Sequence, residues 1–286
     1  MFLDVKAQTN LEIYNDLRKH NKKVFLGAFG VDYFWIKSCL DRKNFRYSEF
    51  FIGDKPTNSP AVDDLKKEWI GTAKERVNKF MADSCDGIIA CLYEYYVSYN
   101  KNYAEKLAYI SEPVNLNETS FLQRGGADKV RFFIGIQKER SQIKGTDILY
   151  RVLQEVNKKY PQFTEIKKVE SVPYSEYLNT MRNSDVLLDQ LYSYTPAMNA
   201  FIAMAQGLVI VGGGEPEAYD ILTEYENRPI INVIPDEQDI FNKLENLVLN
   251  RNEIPALSQK SRQFVEKHHD YMKIAQQYID FWSSKF

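Results

Sequence analysis

The chain is poor in the residues that most often mark chemistry by themselves. Its 286 residues hold three cysteines and three histidines. Cys39, Cys85 and Cys91 are too few and too scattered for a disulfide framework or a four-ligand zinc site, so reduced cytoplasmic thiols are the expectation. Of the histidines, His20 stands alone, while His268 and His269 are adjacent in "EKHHDY". Neighbouring side chains on a helix point apart, which predicts a surface pair and no metal site. No Ser-His-Asp or Cys-His constellation can be read from the spacing. Long apolar runs are lacking too. None approaches the roughly 18 residues that span a bilayer, and the opening residues do not read as a signal peptide. A formal net charge of -2 gives no electrostatic basis for a nucleic-acid partner, with local basic patches left open. Nothing fixes an oligomeric state.

What the chain does have is the composition of a globular protein, 44% hydrophobic and 27% charged, at a length that fits two domains at least as well as one. The second half alternates cleanly. "KVRFFIG" (129–135) is a compact apolar run, as expected of a strand covered on both faces. A polar basic loop follows, then a helix with Ile148, Leu149, Val152, Leu153 and Val156 on one face and Thr146 as its N-cap. Strands are predicted at "FTEIKKVES", "DVLLDQL", "GLVIVGG" and "RPIINVI", separated by helices. Such alternation predicts a parallel, doubly wound sheet whose ligands bind at the carboxyl ends of the strands. The loops at 136–145, 189–196 and 212–217 sit at such ends.

The first half is less regular. Strands are predicted at 23–28 and 86–91, with helices over 59–82 and about 93–107; residues 42–60 read as aromatic, charged and turn-rich. No strand precedes the opening helix, which suggests that the first βα units of a longer domain are missing or minimal. Residues 110–128 are turn-like and low in apolar content, and the domain boundary is expected there. The predicted domains are 1–127, 128–255, and closing helices over 256–286 that return to the first domain.

Two places can approach an anion. Lys138, Arg140 and Lys144 share one loop before a helix, and cations beside a helix N-terminus suit a diphosphate. A solvated loop partly neutralised by Glu139 explains the same residues, and by composition is the commoner case. Gly212, Gly213 and Gly214, followed by Glu215 and Glu217, let backbone come close to a ligand; a tight turn with Pro216 opening a helix is the simpler reading. Asp32 follows a strand and two glycines and is the leading N-terminal acid, equally readable as a helix N-cap. The stretch "SYTPAMNAFIAMAQGLVIV" (193–211) holds no ionisable side chain apart from Tyr194.

Three blocks together resemble a known family: "FFIGIQKERSQIKGTDIL", "SVPYSEYLNTMRNSDVLLDQLY" and "MNAFIAMAQGLVIVGGGEPE". Their order and spacing look like the C-terminal domain of group 1, family 4-like GT-B glycosyltransferases, mostly retaining enzymes. The resemblance covers about 128–250, with 86–99 and 110–115 similar to the end of the family's N-terminal domain and "HHDYMKIAQQYIDFW" similar to its closing helix. It implies two Rossmann-like α/β domains with a cleft between them, the N-terminal one incomplete. It further implies transfer of a sugar from a UDP- or GDP-sugar to a polysaccharide or lipid-linked glycan acceptor. No cofactor or metal is required by the residues at hand. On the resemblance, Lys144 and either Arg140 or Lys138 hold the donor diphosphate, and the backbone of Gly213 and Gly214 faces phosphate. The family carries two glutamates eight positions apart; Tyr194 and Ile202 stand there instead. Isoleucine accepts no hydrogen bond, so Tyr194 and Asn199 are the substitute polar contacts, and a non-catalytic nucleotide- or partner-binding relative is the alternative. The expected location is the cytoplasm, with peripheral association at the inner membrane face as the variant.

Overall fold

The computed structural model describes residues 5–57 and 59–284; the outer ends of the predicted first and last segments, and residue 58 of the turn-rich stretch, lie outside the described residues. The chain forms two compact units, one of residues 1–111 with 274–286 and one of 112–273.

In the first unit α1 (Ala7–His20) leads into β1 (Phe25–Ala28) and α2 (Tyr33–Asp41). The turn-rich stretch is not loop throughout. It forms an antiparallel meander of β2 (Tyr47–Ser48), β3 (Phe51–Ile52) and β4 (Lys55–Pro56). Phe50 and Phe51 are buried in it, and Phe50 packs edge-on against Trp35 of α2, so the aromatics that read as loop are core. The helix predicted over 59–82 is two, α3 (Pro60–Trp69) and α4 (Ala73–Ser84), and Thr72 caps the second through Glu75 N–H. Then follow β5 (Gly87–Ala90), α5 (Tyr93–Tyr103) and β6 (Leu107–Tyr109). The strands β1, β5 and β6 pair in parallel, β5 in the centre and buried throughout.

The second unit holds β7 (Val130–Ile136), α6 (Ser141–Lys144), α7 (Thr146–Lys159), β8 (Thr164–Glu170), α8 (Tyr174–Arg182), β9 (Val186–Leu188) and α9 (Met198–Ala205). These are followed by β10 (Val209–Gly212), α10 (Pro216–Asp220), β11 (Ile231–Asn232), α11 (Glu237–Leu249) and α12 (Ile254–His268). A last helix, α13 (Tyr271–Ser283), begins here, and from Ile274 on it belongs to the first unit, where Ile274 packs with Ile89 and Ile110. The predicted alternation is realised as a five-stranded all-parallel sheet in the order β11-β10-β9-β7-β8. One face packs Val130, Phe132 and Ile134 against Leu149, Val152, Leu153 and Val156 of α7 and against α11. The other packs Phe133, Leu187 and Ile210 against the small and aromatic residues of α9 and Phe264 of α12. β7 is thus packed on both faces, which is why it reads as a compact apolar run interrupted only by Arg131. Thr146 is the first helical residue of α7 and not its cap: Gly145 occupies that place, and the Thr146 hydroxyl bonds Ser141.

The segment 122–126, expected to lie at the domain boundary, is fastened within the second unit. The buried Arg124 donates to the carbonyls of Gln206 and Arg182, tying the ends of α9 and α8 together. Burial holds its guanidinium down to about 10, yet it stays charged. Asp185, at the start of β9, accepts a bidentate pair from Arg131 at 2.7 and 2.8 Å together with the Arg131 backbone N–H.

Candidate functional site

Strand order fixes where a ligand can sit. The chain leaves β7 toward β8 on one side and resumes with β9 on the other, so β7 and β9 flank a switch point. The crevice at the carboxyl ends of two such strands is where doubly wound sheets bind ligands. A cavity of about 220 Å³ opens there, lined by the β7 end (Gly135, Ile136), by Lys144, by Tyr174 and Tyr177 of α8, and by Asn199 of α9.

Lys144 ends the short helix α6 and is half-buried. Its place is set by Gly145, which takes a φ of 67° and lies so close to Leu191 that an added Cβ would stand 2.7 Å from the Leu191 Cβ. Leu191 N–H in turn donates to the Lys144 carbonyl at 2.8 Å. Burial lowers the Lys144 ammonium below the usual lysine range; Asp189 opposes that and Arg140 adds to it. Asp189 is a site residue that the sequence reading passed over. It follows β9 directly, and its carboxyl is pushed up to about 6 by burial, against the pull of Lys144 and of Ala197 N–H. One carboxylate oxygen, Oδ2, is shut off from solvent with no hydrogen-bond partner among the described residues. The available signal was an acid ending a wholly apolar strand.

The other predicted site residues are distributed as follows. Lys138 and Arg140 are exposed on a 3-10 turn and do not line the cavity, so of these three cations Lys144 alone reaches it. Asn199 reaches it from the first turn of α9. Tyr194 is buried in the core, 1% exposed, and its carbonyl accepts from Glu215 N–H. The glycine turn is crowded by the protein itself. A Cβ on Gly213 would stand 2.0 Å from the Ser193 carbonyl oxygen, and Gly214 N–H already donates to Asn232 Oδ1 at 2.9 Å. Glu215 is buried and Glu217 half-buried at the start of α10; neither lines the cavity. Ile202 opens instead onto a neighbouring cavity of about 270 Å³ with Arg182 and Glu118, and Tyr174 lines both.

Asp32 takes the second of its two predicted roles. It caps α2 through Trp35 N–H, its other oxygen accepts from Tyr99 OH, and Asn78 bridges the same cluster by donating to Tyr99 and accepting from Tyr33 N–H. Burial pushes its carboxyl up to about 6. The histidine pair is a correction. His269 is 1% exposed, stacked on Phe201 at 3.8 Å, with Nδ1 donating to the Glu112 carbonyl; His268 binds Glu224. The helix ends between the two, so they do not follow the surface geometry of a continuing helix. Among the described residues no cluster of His, Cys, Asp and Glu is arranged to hold a metal, and no helix is long and apolar enough to cross a membrane.

Comparison with known proteins matches residues 127–280, more than half of the chain, to the family described as glycosyl transferase-like. The chain belongs to that family. No curated protein matches by sequence. Solved structures share the fold. Sucrose-phosphate synthase from Thermosynechococcus elongatus is 13% identical at a TM-score of 0.61, over 96% of this chain and 71% of its own. WaaG, a glycosyltransferase involved in lipopolysaccharide biosynthesis, is 11% identical at 0.58, over 97% and 84%. A mutant S. aureus TarM in complex with fondaparinux, α-GlcNAc-glycerol and UDP is 15% identical at 0.55, over 72% of this chain. This chain spans 46% of TarM, less than half its length. These likenesses show the GT-B fold.

Proposed function

We propose that this member of the glycosyl transferase-like family moves a sugar from a nucleotide-diphosphate sugar to a polysaccharide or lipid-linked glycan acceptor, with retention at the sugar carbon. The observation that carries the reading is the cavity at the switch point, which offers one half-buried ammonium, Lys144, among tyrosines and the first turn of α9. An ammonium partly removed from water attracts a diphosphate far more strongly than an exposed one. It also steadies the nucleoside diphosphate as it leaves, which is the electrostatic part of glycosyl transfer. Tyr174 and Tyr177 give flat surfaces for a base, and Asn199 a neutral donor and acceptor for hydroxyls or phosphate. TarM, with its bound UDP, supports the choice of a nucleotide ligand.

A second reading, a relative that binds the nucleotide without turning it over, is favoured by Ile202. Where the resembling family places an acid, this chain presents an alkyl side chain to a cavity wall. The two separate in one experiment: thermal shift with UDP, GDP and their sugars, followed by donor hydrolysis. Stabilisation with turnover supports the transferase, and stabilisation without turnover supports the binding protein. Absence of any shift, together with no effect of Lys144→Ala, rejects the donor site.

A further inference from the structure

Beside the donor cavity lies a second one, lined by polar side chains that find no partners among the described residues. We propose that this groove between α8 and α9 is a saccharide subsite that holds one uncharged sugar ring. It goes beyond the nucleotide-sugar reading and does not depend on it, because no nucleotide is needed to fill it.

Helical spacing builds the groove. Tyr174, Leu178 and Arg182 recur every fourth residue on α8, and Met198, Ile202 and Gln206 do the same along α9 and its C-cap, so each set forms one stripe. The two stripes line a cavity of about 270 Å³, and the segment 113–119 supplies its third wall. That wall is fixed by the protein itself. Val114 N–H donates to the His269 carbonyl at 2.7 Å, Asn115 Oδ1 accepts from Asn117 N–H at 3.1 Å, and Thr119 Oγ1 donates to the Asn115 carbonyl at 2.9 Å. The groove shares Tyr174 alone with the donor cavity, and Lys144 does not line it. A ligand here sits beside the diphosphate position and not in it.

The amide of Gln206 carries the argument. Gln206 is 5% exposed, yet its Oε1 has no hydrogen-bond partner among the described residues, and its Nε2 meets the weak acceptor Met181 Sδ at 3.4 Å. A buried amide oxygen left in that state destabilises the fold. The buried residues of α9 itself, Ala200, Phe201, Ala203, Met204 and Ala205, are all apolar, and a leucine after them would pack without that cost. A hydroxyl held in the groove supplies the donor that the amide lacks. At the mouth stand Arg182 and Glu118, both exposed, and neither side chain is engaged by any described residue. Their formal charges cancel, which disfavours an ionic ligand. Sugar hydroxyls donate and accept at once, so one ring can serve the Gln206 and Glu118 oxygens as donor and Arg182 as acceptor. Its C–H face suits Leu178, Met198 and Ile202 and the exposed ring of Tyr174. A volume of about 270 Å³ lies just below the roughly 300–1,000 Å³ of drug-sized ligand sites, which fits a single ring.

The test is a titration with the methyl glycosides of glucose, mannose and N-acetylglucosamine, without nucleotide, followed by NMR of the 13C-labelled methyl groups of Met198 and Ile202. One glycoside should move both methyls saturably in the millimolar range, the affinity expected of so small a ligand. If none of the three moves them, the proposal is overturned. Gln206→Leu should melt no lower than wild type and bind that glycoside at least about tenfold more weakly. A lower melt would give the amide a role in the fold, and undiminished binding would give it none in the subsite; either result overturns the proposal. Arg182→Met, altered at the exposed rim, should weaken binding severalfold, and affinity equal to wild type counts against the subsite in the same way. Displacement of the glycoside by UDP would make the groove part of the nucleotide site and reject it. Glycoside binding that UDP leaves unchanged supports it, even in a chain that ignores UDP altogether, so the donor reading is judged separately.

Discussion

Removing the Asp185 charge should unfasten the second unit. Asp185 is fully buried and accepts Arg131 Nη2 at 2.7 Å, Arg131 Nε at 2.8 Å and Arg131 N–H at 2.9 Å, while the Arg131 side chain keeps about a third of its exposure (35%). Breaking a buried ion pair from one side costs about 3–5 kcal/mol, because it strands a charge. Here the stranded partner can rehydrate, so the lower end, about 3 kcal/mol, applies to Asp185→Asn. With a urea slope of about 2 kcal/mol/M for a unit of this size, the midpoint should drop by roughly 1.5 M. Far-UV circular dichroism reports both units, whereas Trp35, Trp69 and Trp282 all lie in the first and their fluorescence follows that unit alone, so a shift in the dichroism without one in the fluorescence belongs to the second. The pH dependence has a definite sign. Arg131 and the backbone donors hold the Asp185 carboxyl below the usual aspartate range. Its contribution is thus complete above about pH 4, the unfolded value, and is lost as pH falls through the lower folded value. The gap between wild type and Asp185→Asn should close below pH 4. A midpoint within 0.3 M of wild type at pH 7, about 0.6 kcal/mol at that slope, would refute the reasoning.

Four further outcomes follow from single sites. Gly145→Ala must take a left-handed φ of 67° and place its Cβ 2.7 Å from Leu191 Cβ. Left-handed strain and overpacking together should cost about 2–4 kcal/mol in thermal denaturation and displace Lys144, and an unchanged melt with unchanged nucleotide binding contradicts this. Gly213→Ala, with its Cβ 2.0 Å from the Ser193 carbonyl, should destabilise by moving backbone; equal stability by urea titration would show that the turn yields freely. Asp32→Asn keeps the helix cap but removes the acceptor for the buried Tyr99 OH, so it should lose about 1–2 kcal/mol while leaving any transferase activity unchanged, and Asp32→Ala, which loses the cap as well, should lose more. Loss of turnover in Asp32→Asn under conditions where it is fully folded would restore the catalytic reading. Burial holds His269 neutral down to about pH 3, well below its unfolded value near 6.5. The unfolded chain therefore binds the extra proton first, and stability should fall as pH drops from about 6.5 toward 3, approaching about 1.4 kcal/mol per pH unit from this group. Calorimetric melts of His269→Phe should show a shallower acid slope, and an identical slope rules the explanation out.

How much of this could be read from the sequence depended on which force left its mark there. The strands β7, β9 and β10 pack on both faces, so burial writes compact apolar runs, broken in β7 only by Arg131, that any register leaves visible. The helix α7 turns one face to that sheet and shows it at Leu149, Val152, Leu153 and Val156. Strands β2, β3 and β4 leave no such mark. Each has two residues, too few for a period, and their stability comes from Phe50 and Phe51 meeting Trp35 and other distant residues. The same limit hid the packing of His269: its neighbours, Glu112 and Phe201, lie more than 60 residues away. Helical spacing says where a side chain points on its own helix, but not where the helix ends.

The candidate site divides along the same line. Lys144 was legible because residue type and position relative to a strand end are local facts, and Asn199 came from the resemblance, as a substitute contact for the absent glutamates. Asp189 was not, because Lys144 comes from a different crossover, and only the switch in strand order between β7 and β9 brings the two loops together, with Leu191 N–H on the Lys144 carbonyl. The uncharged stretch 193–211 is the physical counterpart of that arrangement. Residues such as Tyr194, Ala200, Phe201, Ala203 and Met204 are buried, and an ionised side chain among them would carry the cost of leaving water unpaired. Asp189 stands at the strand end before that buried stretch, and a carboxylate moved into α9 at Ile202 would face the neighbouring cavity instead.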